Sequence, residues 1–260
     1  MKALIIIALV WFAQNCFAQH DTLIWNDEFN GTGISDTSKW KFDLGSSGWG
    51  NNEIQNYTNS TQTARQENGV LVIEALKSGG SWSSARLVSR DKYVFTHGRV
   101  VFRAKIPTGV GTWPALWMLG ANIDSVGWPA CGEIDVAEHR GVEHGVIYSS
   151  IHVPANYGPN VSTATHKLKS FDSEFHLYEV NWKSDRIEFS IDNELFFTYK
   201  PEQLNSSTWP FDKPCYIIMN IAMGGNWASD QKLETKGLKN GIDPSLTKVR
   251  MEIDYVRVYK

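Results

Sequence analysis

Apolar and polar side chains alternate with a period of two through most of the chain, and Gly, Asn, Asp or Pro interrupts each run after a few residues. Successive side chains of a strand point to opposite faces, so such runs predict half-buried strands. They fall at Val70–Ala75, Gly98–Lys105, Phe175–Trp182, Arg186–Ile191, Leu195–Tyr199, Cys215–Ala222 and Met251–Tyr259. Asp192-Asn193-Glu194 separates two of these runs and predicts a hairpin. No long stretch holds a helical period, and Pro201–Leu204 is expected to form a single helical turn. Many short strands without intervening helices mean a sandwich or barrel. No Pro-rich or Ser-rich linker and no internal repeat divides the chain, so one all-β domain over residues 19–260 is expected.

The first eighteen residues read as an address. Lys2 precedes the apolar stretch Ala3–Ala13, which breaks at Gln14-Asn15, short of the roughly 20 residues that span a bilayer. Cys16 and Ala18 are the small residues of an A-x-A-like cleavage site before Gln19. Residues 1–18 are therefore expected to be a secretory signal peptide. The mature protein is expected in the extracellular or periplasmic space, with no membrane association after cleavage. Cleavage leaves Cys131 and Cys215, which either pair or stay as two buried thiols. Asn30, Asn56, Asn59, Asn160 and Asn205 each begin an N-x-Ser/Thr triplet, which matters for a eukaryotic secretory route and not for a bacterial one.

Composition narrows the function. With 42% hydrophobic and 20% charged residues the chain has enough apolar material for a core, which excludes disorder. The 25 basic residues against 28 acidic ones leave no positive surplus for phosphates, which excludes a dedicated nucleic-acid binder. Eleven Trp point to a large aromatic core or to a surface that stacks flat, partly apolar ligands such as sugars. The seven His form no zinc motif, and neither a phosphate-binding Gly loop nor a Ser-nucleophile elbow is present. No cofactor is expected for catalysis.

The chemistry concentrates in Gly132-Glu133-Ile134-Asp135-Val136-Ala137-Glu138. In a strand Glu133 and Asp135 share a face while Ile134 and Val136 enter the core. Glu138, five residues from Glu133, would point the opposite way unless a β-bulge at Val136-Ala137 returned it. Three carboxylates on one face repel each other, which keeps one protonated beside an ionised neighbour. Glycoside hydrolysis uses that division: one carboxylate attacks and one acid protonates the leaving oxygen. A solvated acidic edge strand is the alternative on spacing alone. Just upstream, alternation in Gly111–Leu119 puts Trp113, Ala115 and Trp117 on one face, with Pro114, Leu116 and Met118 toward a core. The two indoles then need a partner, either a sugar ring or a second core layer.

With these flanks, the run Trp128-Pro129-Ala130-Cys131-Gly132-Glu133-Ile134-Asp135-Val136-Ala137-Glu138-His139 closely resembles the active-site strand of glycoside hydrolase family 16, in its laminarinase-like branch. The resemblance extends along nearly the whole mature chain. It takes in Trp25–Phe29, Gly48–Glu53, Ser84–Leu87, Trp113–Gly120, Asn220–Trp227 and Ile253–Tyr259. It implies a β-jelly-roll sandwich of two antiparallel sheets with a substrate cleft on the concave face. It also implies endo-hydrolysis of β-1,3-glucan with retention of configuration, and mixed-linkage β-1,3-1,4-glucan as a second substrate. Other family-16 polysaccharides (lichenan, agarose, carrageenan) and a non-catalytic β-glucan recognition protein are the rival readings. The resemblance assigns Glu133 as nucleophile, Glu138 as general acid/base and Asp135 as the residue that orients the nucleophile. It assigns Asn51, Glu53, Arg86, Trp113, Trp117, His152 and Asn220 to substrate binding, with the small Ala222 leaving room for a bent chain. A structural calcium is implied at Glu28, the Gly69 carbonyl and Asp254, and the enzyme is expected to be a monomer. Val136-Ala137 is smaller than the aliphatic pair frequent at this bulge, a departure expected to alter packing more than chemistry.

Overall fold

Two β-sheets lie face to face in the computed structural model, which describes residues 21–236 and 239–260. The expected signal peptide, residues 1–18, lies outside the described residues. One sheet has seven strands, in the order Ser162–Lys167, Val146–His152, Glu133–His139, Thr112–Gly120, Cys215–Met223, Arg86–Val88 and Lys41–Asp43. All its neighbours are antiparallel. The other sheet has ten strands, with Gly98–Lys105 and Lys248–Tyr259 near its centre. This is the all-β jelly-roll sandwich that alternation and resemblance predict. In the ten-stranded sheet Gln55–Tyr57 pairs with Ser81–Ser84 in parallel. Between them the chain turns back twice, at Asn68-Gly69 and at Gly79-Gly80, and two reversals restore the original direction.

The apolar halves of the alternating runs meet between the sheets. Leu71, Ile73, Phe102, Leu116, Met118, Ile134, Val180, Ile217 and Ile253 are among the residues of one continuous core. Each such side chain contributes about 1.5–3 kcal/mol by leaving water. Cys215–Met223 is buried at every position, on both faces. That explains its nearly unbroken apolar sequence, because a strand covered on both sides has no solvent face to mark with polar residues. Cys131 and Cys215 are both buried and unpaired.

Two local expectations change. The hairpin loop is Asp192-Asn193 alone, because Glu194 already pairs with Ile191. Both loop residues have positive φ, as a type I′ turn requires. Pro201–Leu204 forms bends instead of a helical turn. Four residues make too few internal hydrogen bonds to offset the cost of starting a helix.

Gly132 delivers the chain into the Glu133–His139 strand. Its φ is +78°, and a Cβ there would lie 2.7 Å from Pro210 Cγ and 2.8 Å from Phe211 Cε1. Gly132→Ala therefore meets both a left-handed backbone penalty of about 1–2 kcal/mol and a steric clash. Thermal unfolding is expected to show a midpoint lowered by at least about 2–4 °C.

Candidate active site

The Glu133–His139 strand is irregular where its chemistry lies. On one side Asp135 pairs with Trp117 and Ala137 with Leu116, leaving Val136 unmatched. On the other side Asp135 pairs with Ser150 and Glu138 with Tyr148, a step of three residues against two. This is the expected bulge. Ile134, Val136 and Ala137 all join the core, and Glu133, Asp135 and Glu138 come to the opposite face of the sheet.

Indole donors brace the two glutamates. Trp113 Nε1 donates to Glu138 Oε1 at 2.8 Å, and Trp128 Nε1 donates to Glu133 Oε2 at 3.0 Å. His152, opposite Glu133 on the neighbouring strand, places Nε2 3.3 Å from Asp135 Oδ2 and 3.6 Å from Glu133 Oε1. Its Nδ1 accepts the Gly158 N–H at 3.2 Å, so the neutral ring carries its proton on Nε2, facing the carboxyls. Burial, together with the charge of Asp135, pushes Glu133 and Glu138 each up to about 8. Burial also raises Asp135 well above the usual carboxylate range. Three carboxyls that each resist ionisation beside one another do not all ionise at neutral pH, so the cluster retains a proton.

The remaining predicted residues form the surroundings. Trp117 Nε1 donates to Asn220 Oδ1 at 2.7 Å, and Asn220 Nδ2 donates to the Tyr57 hydroxyl at 3.0 Å. Asn220 thus orients Trp117. Arg86 pairs with Asp43 at 3.0 Å, and its guanidinium lies 4.8 Å from the ring centres of both Trp49 and Trp117. Glu53 accepts from Gln55 at 2.7 Å and from Asn51 at 3.4 Å, and burial raises its pKa. Ala222 pairs with Trp113 across the sheet. Sequence reasoning passed over Trp128, Trp227 and Tyr148. Trp227 packs 4.9 Å from Trp113 and 5.2 Å from Tyr148, extending the aromatic wall beside Glu138. The register of Tyr148 opposite Glu138 was a signal available in the alternation; Trp128 and Trp227 lie outside the strands, where alternation assigns no direction.

Glu133, Asp135 and His152 each place a ligand-type atom within 4.8 Å of the others. With the proton on Nε2, His152 offers this group a donor and no lone pair. At the expected calcium position, Arg257 holds both oxygens of Glu28, at 2.9 and 2.8 Å, and Arg103 holds Asp254. The oxygen donors suit calcium in type, but guanidinium groups already occupy both carboxylates.

A β-sandwich that sets buried carboxyls of mixed protonation among indole rings on one sheet face has the equipment of a carboxylate glycosidase. The chain belongs to the glycosyl hydrolases family 16, whose model matches residues 51–257. It is 38% identical to the beta-glucanase of Rhodothermus marinus over 94% of this chain and 86% of that protein. The crystal structure of the laminarinase from Flavobacterium sp. UMI-01 superposes with a TM-score of 0.85 at 39% identity, covering 92% of this chain and all of that one. The X-ray structure of the laminarinase from Rhodothermus marinus gives a TM-score of 0.86 at 38% identity, covering 93% and 98%.

The raised pKa of Glu138 has a stability consequence with a definite sign. Its folded pKa of about 8 lies above the ordinary 4.5, so the stability of the protonated form is fully present below 4.5 and is lost as pH rises through 8. Glu138→Gln removes that loss. Relative to wild type, the variant is expected to gain more than about 1.4 kcal/mol between about pH 5 and about pH 9, read from denaturant unfolding at each pH.

Proposed function

We propose that the protein is an exported, endo-acting β-1,3-glucanase that works with retention of configuration and also accepts mixed-linkage β-1,3-1,4-glucan. The observation that carries this reading is the bulge at Val136, which brings Glu133 and Glu138 to one face beside Asp135. Family membership and the beta-glucanase and laminarinase names of its relatives support the substrate. A recognition protein without catalysis has no use for three buried carboxyls that destabilise the fold. Export rests on the sequence of residues 1–18; among the described residues no helix is long and apolar enough to cross a membrane. The mature enzyme is proposed to act as a monomer.

In the first step Glu133 attacks the anomeric carbon while Glu138 gives its proton to the departing glycosidic oxygen. Burial keeps that proton on Glu138 at neutral pH. The ester that forms removes the charge of Glu133, and the repulsion that favoured protonated Glu138 weakens. Glu138 then takes a proton from water, whose oxygen displaces Glu133. His152 Nε2 stands beside both Asp135 and Glu133, at 3.3 and 3.6 Å, on the nucleophile's side of the cluster. Trp113 and Trp117 offer ring faces to the glucan, and Arg86 covers one face of Trp117.

An open row of indoles binds several sugars at once and cuts internally. Laminarin is expected to yield a spread of oligosaccharides from the earliest chromatographic time points. Glucose alone would contradict the endo mode, and cleavage of agarose without laminarin would contradict the substrate. The roles of the glutamates are separable by azide. Glu133→Ala is expected to abolish turnover and regain it with azide, giving an inverted glycosyl azide. Glu138→Ala is expected to spare substrates with good leaving groups and to give a retained azide. The opposite stereochemistry in the two variants would exchange the roles.

The proposal includes a structural calcium held by Glu28, the Gly69 carbonyl and Asp254, which must compete with Arg257 and Arg103. Binding to the folded state alone stabilises it by about 2.7 kcal/mol when free ion is 100 times its dissociation constant. Excess chelator is expected to lower the unfolding midpoint in wild type and not in Asp254→Ala. An unchanged wild-type midpoint, with no tightly held metal, leaves the carboxylates to their arginines.

A further inference from the structure

Trp128 combines two properties. It is 46% exposed, yet its indole N–H points at a carboxylate oxygen, Glu133 Oε2, 3.0 Å away. Water competes for an exposed indole, so something must hold the ring. Tyr157 meets it edge-on at 5.3 Å and 84°, and His152 lies 5.7 Å from it. The next residue, Gly158, donates its N–H to His152 Nδ1. One loop, following the Val146–His152 strand, therefore steadies both groups that converge on Glu133. Their placement differs. Trp128 is within hydrogen-bond distance of Oε2, whereas His152 Nε2 stands 3.6 Å from Oε1, too far for a good bond. One oxygen is held and the other keeps its lone pairs.

We propose that Trp128 is a positioning residue for the nucleophile: its N–H fixes Glu133 Oε2 and so presents Oε1 to the anomeric carbon, with Tyr157 and Gly158 as the brace. This rests on the reading of Glu133 as nucleophile. The same donor stabilises the ionised carboxylate, so its removal acts on reactivity and on protonation together. Glu133 also faces Asp135 and Glu138 on its own strand, His152 on the next, Arg86 across the sheet and Cys131 before it.

Trp128→Phe keeps a stacking ring and removes the N–H. It is expected to lower kcat on laminarin by about tenfold or more with KM within about twofold, and to move the acidic limb of kcat/KM to higher pH. Tyr157→Ala, which leaves the indole but not its brace, is expected to shift both quantities the same way by less. Trp128→Leu should add a rise in KM, because the ring is lost as well. Inactivation by a 2-deoxy-2-fluoroglucosyl fluoride, followed by peptide mapping, separates this inference from the one beneath it. Labelling of wild type at a residue other than Glu133 overturns the nucleophile assignment. Labelling at Glu133 that proceeds at the wild-type rate in Trp128→Phe, with an unmoved acidic limb, overturns the role of Trp128 alone. A change confined to KM would make Trp128 a sugar platform and no more.

Discussion

One unmatched residue governs the site. In a strictly alternating strand a carboxylate five positions after Glu133 faces the core, where an unpaired charge is prohibitively expensive. Val136 absorbs the mismatch by sharing the core with Ile134 and Ala137. The neighbouring strands, Thr112–Gly120 and Val146–His152, both continue their pairing past the bulge, so the sheet does not break where it bends. Val136 and Ala137 enter the core side by side.

What touches the carboxyls then decides what they can do. The same chain shows the alternative a few strands away: Arg65 and Arg250 hold Glu67 down at about 2. A guanidinium in that position on Glu138 would strip it of its proton at neutral pH. The donors that contact Glu133 and Glu138 are neutral indole N–H groups. They orient the carboxyls while adding no full positive charge, so burial keeps both near 8. The guanidinium of Arg86, whose charge reaches Glu133, is occupied by Asp43 and two indole rings. Orientation without neutralisation leaves the protons of this carboxyl cluster to burial and mutual repulsion.

Much of this was legible in the sequence because alternation carries it. The core face of Leu116 and Met118, the outward Trp113 and Trp117, and the shared face of Glu133 and Asp135 all follow from a period of two. The bulge was legible because a buried Glu138 has no other tolerable position. Residues on loops were not. Trp128 reaches Glu133 from outside any strand, and Trp227 reaches Trp113 from a four-residue helix. Nor does a sequence say what a polar residue holds. The resemblance marks Asn220 and Arg86 as sugar ligands; what the fold shows is that each secures Trp117. Parallel pairing of Gln55–Tyr57 with Ser81–Ser84 was invisible because strand direction follows from the count of intervening reversals.

The proposed mechanism rests on one bulged strand bringing Glu133 and Glu138 to one face as nucleophile and acid, a pair that in retaining glycosidases stands about 5–5.5 Å apart. Proton NMR of laminarin hydrolysis during the first minutes reads this directly. With retention, the newly formed reducing end appears first as the β anomer, with the α signal growing in later by mutarotation. Immediate appearance of the α anomer would contradict it.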